Sequence, residues 1–137
     1  MKRYLNLSLV YAVAAMAGGV FYREFTKLNS FDGVTALGKV HAHLFLMGTV
    51  VFLLVALFAA QGDFRKQRTF RVFLRVYNIG VPLTAVMMAV RGVTQVLGMT
   101  LSTAASASIS GMAGIGHILT GVSLVLLLVA LRRAAKD

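Results

Sequence analysis

At 137 residues, 58% hydrophobic and only 13% charged, with a mean hydropathy of +0.82, the chain is too apolar for a water-soluble domain of its size. Its formal charge of +10 sits mainly between and beyond the apolar runs, where it directs membrane topology and argues against nucleic-acid binding. The lack of cysteine excludes disulfides, thiolate metal sites, iron–sulfur clusters and covalent haem attachment, so any haem is held non-covalently.

Four apolar runs, residues 4–22, 40–60, 76–97 and 111–131, are each long enough to cross the hydrocarbon as a helix. They predict an all-α integral membrane four-helix bundle, one domain over residues 1–137. The first run follows Met1-Lys2-Arg3 and has the make-up of a secretory signal peptide as well as of a span. Its small residues recur as Ala14-xxx-Gly18 and Ala15-xxx-Gly19, a spacing that lets helices approach closely within the chain or between copies. The second run opens on His41-Ala42-His43. Residues two apart on a regular helix point about 200° away from each other, so these rings cannot share one small metal. His41 shares its face with Gly38, Phe45 and Gly48, whereas His43 shares its face with Lys39, Leu46 and Met47.

In the third run, Pro82 predicts a kink. Arg91 lies deep in the same run, on a face with Thr84, Met87, Met88 and Gln95. Residues 101–110, rich in Ser and Ala, read as a weakly hydrophobic loop or a frayed helix start. The fourth run holds His117 between Gly114 and Gly121, at i−3 and i+4. Ten of the fourteen Lys and Arg lie at the N-terminus (Lys2, Arg3), in the 62–75 connection (Arg65, Lys66, Arg68, Arg71, Arg75) and in the tail (Arg132, Arg133, Lys136). The positive-inside rule therefore predicts N-in/C-in topology in a bacterial cytoplasmic (inner) membrane. The acids Glu24, Asp32, Asp63 and Asp137 fall outside the spans and read as caps and surface charges.

An ionisable ring in hydrocarbon is costly and marks a site. At about 1.5 Å per residue, His117 lies about 21 Å above Leu131, Arg91 about 22 Å above Val76, and His43 and His41 about 26 and 28 Å above Ala60. All four gather in the outer half. His41, His43 and His117 are thus read as ligands of iron or another metal. The expected cofactor is a non-covalent haem b held between the second and fourth spans, for electron transfer or for binding a diatomic gas such as O2 or NO. His41 is the favoured partner of His117, because both faces carry glycine. His43 then serves a second haem, a copper ion or a neighbouring subunit. Gly114 and Gly121 clear room for a flat macrocycle, although ordinary small-residue packing explains them equally well.

With no acid in any span, Arg91 is read as the partner of a haem propionate and Lys39 as the partner of the other; the alternative for Arg91 is snorkelling to the headgroups. Two rival functions use the same residues differently. One is a metal-ion or proton transporter with Met47, Met87, Met88 and Met112 as soft ligands. The other is a structural accessory membrane subunit whose histidines are replaceable. A hydrolase built on Ser110, seven residues before His117, lacks an orienting acid.

The segment Lys39-Val-His-Ala-His-Leu-Phe-Leu-Met-Gly48 resembles the His-x-His helix of the haem–copper oxidase and nitric-oxide reductase superfamily. That resemblance implies two histidines addressing two different haems. The superfamily's copper site needs three further histidines and this chain has one, so one protomer does not supply a binuclear centre. A homotrimer would imitate the superfamily's twelve spans, and a dimer is equally allowed. Over its whole length the chain also resembles a family of small, uncharacterised four-helix bacterial membrane proteins. These carry His-x-His-Leu in the second span and Gly-x-Gly-His in the fourth, here Gly114-Ile-Gly-His117. That second resemblance implies the four-span fold and no particular activity.

Overall fold

A computed structural model describes residues 1–61 and 64–135. Four long helices account for almost all of them: α1 (Lys2–Leu28), α2 (Leu37–Ala60), α3 (Arg68–Val96) and α4 (Thr103–Ala134), with a 3₁₀ turn at Phe64–Lys66 before α3. No strand occurs among the described residues. Each helix is long and apolar enough to cross a membrane, so the all-α, four-span architecture is as the hydropathy predicts. Asp63, Lys136 and Asp137 lie outside the described residues; Glu24 forms an exposed ion pair with Arg23 at 3.8 Å.

The helices outrun the apolar runs because hydropathy marks hydrocarbon while backbone hydrogen bonding continues through polar sequence. α3 starts at Arg68 rather than Val76, and α4 at Thr103 rather than Gly111. Residues 103–110 are therefore helix and not loop. Ser102 caps them, its hydroxyl accepting from the Ala105 amide at 3.2 Å. α3 passes through Pro82 as one continuous helix. Both α1 and α3 end in the same way, with a left-handed residue that turns the chain and satisfies two last-turn carbonyls. Gly98 does this after α3 (φ 61°), with the Met99 amide on the Thr94 carbonyl. Ser30 does it after α1 (φ 49°), with the Phe31 amide on the Thr26 carbonyl.

Small residues set how the helices pair. Ala15, Gly18 and Gly19 turn α1 toward α2, where Val40 and His41 lie against the two glycines. α3 and α4 cross through a reciprocal pair: Gly80 against Thr120, and Gly116 against Thr84. α2 meets α3 where Leu37 lies on Gly92, and Thr35 Oγ1 donates to the Gly92 carbonyl at 3.0 Å. Nearby, Gln95 Oε1 accepts from the Ala36 amide at 2.8 Å. At the end of the molecule that carries both termini, Tyr4, Tyr11, Phe52, Phe64, Phe70, Phe73 and Tyr77 form a continuous aromatic cluster. Its ring centroids are 4.8 to 6.5 Å apart, and it ties α1, α2 and α3 together. The outer flanks carry exposed Leu, Val or Ile on every helix. The accessible surface of 8475 Å² exceeds the about 6,900 Å² of a compact soluble monomer of this mass, which fits helices that offer apolar flanks and grooves to lipid.

α2 is not uniformly α-helical. Between Leu44 and Val50 it widens into π-helical turns, just after His43. Val40, Leu44, Gly48 and Phe52 are all buried, at successive steps of four residues. In a pure α-helix each such step drifts by about 40°, and the wider turn takes up that drift. The carbonyls disturbed by the change of pitch find partners on both sides. Ser8 Oγ donates to the Thr49 carbonyl at 2.8 Å, and the Tyr77 hydroxyl donates to the Met47 carbonyl at 2.6 Å. Gly48 is required there, because a Cβ would run into the Tyr11 ring.

Candidate functional site

The far half of the bundle, away from the aromatic cluster, holds the histidines. α2 and α4 pack on α3 but meet each other only sparsely, which leaves a groove of about 170 Å³ between them. His43 and Met47 line it from α2, Val81 and Thr84 from α3, and His117, Thr120, Gly121 and Leu124 from α4. Across it the His43 and His117 rings meet in a T-shaped contact, with centroids 6.1 Å apart and planes at 85°. His43 is half-buried; His117 lies at the exposed mouth.

Each ring is oriented from within its own helix. His43 Nδ1 lies 3.1 Å from the Lys39 carbonyl and His117 Nδ1 lies 2.8 Å from the Ala113 carbonyl, both four residues back. A carbonyl only accepts, so in each ring Nδ1 carries a hydrogen, and in the neutral ring Nε2 then keeps its lone pair. This is the tautomer and the kind of support found behind metal-bound imidazoles.

The pairing expected from the faces of α2 is corrected: His43, and not His41, stands opposite His117. His41 lies on the other side of α2, against Gly19 of α1, and its buried Nδ1 has no hydrogen-bond partner. The glycines that made its face look like a match for α4 are used against α1. Gly38 receives the Tyr22 ring and Gly48 the Tyr11 ring.

Gly114 and Gly121 do not serve helix packing within the chain, since a Cβ at either would meet nothing within 4 Å. The glycine at close quarters is Gly116, next to His117, whose added Cβ would strike Thr84. Arg91, the basic residue without an obvious partner in the sequence, finds three acceptors on the first turns of α4. Nη1 donates to Ser106 Oγ at 3.0 Å, and Nη2 donates to the Ser106 carbonyl at 3.0 Å and to Ser110 Oγ at 2.6 Å. The guanidinium thus clamps α3 to α4 without an anion, and Ser110 pairs with it rather than with His117. Lys39 is exposed one turn before His43.

Two contributors escape sequence reading. Thr84 sits at the back of the groove with a buried hydroxyl that has no hydrogen-bond partner. The π turn after His43 has no single-residue signature beyond the period-four spacing of the buried positions. Among the described residues, no three His, Cys, Asp or Glu converge on a common point, so protein ligands at the groove number two imidazoles, with the Met47 thioether lining the same space.

The match to a family model runs over residues 1–134. The chain belongs to DUF2871, a family described as protein of unknown function. No curated protein and no solved structure matches it. Membership in DUF2871 therefore accounts for the whole four-helix chain and leaves its chemistry to be argued from the groove.

Proposed function

We propose that this DUF2871 protein is a b-type haem-binding, multi-pass protein of the bacterial inner membrane, oriented N-in/C-in, with His43 and His117 as the two axial ligands. The observation that carries the reading is the ring separation of 6.1 Å, with both Nε2 lone pairs left free by the Nδ1 hydrogen bonds. Two metal–nitrogen bonds of about 2.1 Å, extended by the two ring radii, span about 6.5 Å. A haem iron asks the protein for only two ligands, because the porphyrin supplies the other four. A bare zinc ion asks for three or four, and among the described residues the pair gains no third His, Cys, Asp or Glu.

The surroundings support the same reading. Gly114 and Gly121 leave open space beside His117, and Gly121 lines the groove. Lys39, a turn from His43, is the nearest cation in sequence for a propionate, while Arg91 already has its serines. Because the groove is open at His117, its outer wall is lipid or a second copy of the chain in a dimer or trimer. Haem, when bound, supplies one-electron and diatomic-gas chemistry, and two imidazole ligands favour electron transfer over gas binding. The reading needs one haem per protomer and assigns no second haem or copper ion to His41, which faces α1.

The test is purification in mild detergent with haem supplied, followed by an absorbance spectrum and bound-metal analysis. The expected result is a Soret band with one haem per chain. A colourless protein would remove the proposal. Met47 beside both imidazoles favours one runner-up, a copper-ion transporter: stoichiometric copper without haem absorbance is its signature.

A further inference from the structure

A second groove, of about 680 Å³, opens between α1 and α3 at the end of the bundle that carries the termini, far from the histidine pair. Arg3, Asn6, Leu7 and Val10 form its α1 wall, at i, i+3, i+4 and i+7 of one helix face. Leu74, Arg75 and Asn78 form the α3 wall. The Tyr11 hydroxyl, 3.4 Å from Asn78 Oδ1, fixes the level at which the two walls meet. The groove is therefore graded. Arg3 lies at its outer end, while Leu7 and Val10 lead on, past Arg75, to the exposed apolar flank of α1 at Val13.

Neither guanidinium finds a partner among the described residues. Arg23 pairs with Glu24, and among the described residues neither Arg3 nor Arg75 has a hydrogen bond or an ion pair. Asn78 uses one amide hydrogen on the Leu74 carbonyl at 2.7 Å and keeps one. Among the described residues no acid lines the groove. Two exposed guanidiniums without partners among the described residues, each immediately before an apolar run and beside an apolar wall, complement an amphiphile with an anionic head.

We infer that this groove binds an anionic phospholipid, its headgroup phosphate between Arg3 and Arg75 and an acyl chain along Leu7 and Val10. A free anion would use only half of this surface. The site is independent of the haem reading, because it shares no residue with the His43–His117 groove and its readout is lipid.

The experiment uses the full chain reconstituted into vesicles of equimolar phosphatidylglycerol and phosphatidylcholine, re-extracted into neutral detergent, with retained lipid counted by native mass spectrometry. The wild type is expected to retain phosphatidylglycerol over phosphatidylcholine by about twenty-five-fold, each guanidinium contributing about fivefold. The double variant Arg3→Gln/Arg75→Gln is expected to lose that preference with its thermal midpoint in neutral detergent unchanged. Arg71→Gln/Arg132→Gln removes the same charge from exposed positions outside the groove and is expected to keep it. Equal retention of both lipids by the wild type would overturn the inference, as would a preference that survives Arg3→Gln/Arg75→Gln or falls equally in the charge-matched control. Displacement of the lipid by inorganic phosphate alone would make this a free-anion site and overturn it too.

Discussion

The Nδ1 hydrogen bond to a carbonyl four residues back is what separates His43 and His117 from His41. It fixes ring rotation and tautomer in the first two, and the third has no such bond. Gly121 gives the sharpest single-residue test of what the groove is for. Its missing side chain supports no contact within the protein, so Gly121→Leu should leave the thermal midpoint within a few degrees while markedly weakening haem retention in a titration followed at the Soret band. Unchanged retention would show that the space beside His117 is not where a macrocycle lies. Ser30 tests the backbone account independently of any cofactor. A left-handed non-glycine residue costs about 1–2 kcal/mol, so Ser30→Gly should stabilise the protein by about 1 kcal/mol in denaturant unfolding. At this scale the sequence was informative about which residues carry chemistry and silent about their neighbours. The three histidines and Arg91 stand out because ionisable groups are expensive in an apolar run. The serines that satisfy Arg91 could not be chosen in advance, because residues 103–110 look like a loop until their helix is known.

Between helices, the position of His117 depends on how closely α4 lies on α3, and that distance is set where Gly116 meets Thr84 and Gly80 meets Thr120. A side chain at 116 must displace backbone, since its Cβ would lie 2.9 Å from the Thr84 amide nitrogen. Gly116→Leu should therefore lower stability by about 1–3 kcal/mol and abolish haem binding with both histidines still present. Thermal unfolding and the Soret band read the two effects separately. α2 shows why the ligand pair was harder to read than the spans. Hydropathy locates a helix along its axis, but its rotation about that axis is decided by the neighbour that claims each face. Glycine on the His41 face read as room for a cofactor, whereas Tyr22 and Tyr11 of α1 fill it. The π turn then carries the buried stripe onward to Phe52, with Ser8 and Tyr77 receiving the carbonyls that the change of pitch exposes.

Over the whole molecule, the two ends differ in kind. One end is a closed aromatic cluster surrounded by basic residues and the termini; the other holds the open groove with two imidazoles. The four-helix architecture was fully legible, because run length and charge depletion fix spans in lipid regardless of packing detail. The proposed orientation predicts that a reporter active only in the cytoplasm, fused after residue 137, will be active, and that one placed between α1 and α2 will not. The central claim is narrower: one iron held between His43 and His117. It is tested most directly by the absorbance and low-temperature paramagnetic resonance spectra of the haem-loaded protein beside its three single histidine variants. A low-spin bis-imidazole signal is expected in the wild type and in His41→Ala, and its loss in both His43→Ala and His117→Ala. A wild type without that signal, or a signal that depends on His41 and survives His43→Ala, would contradict it.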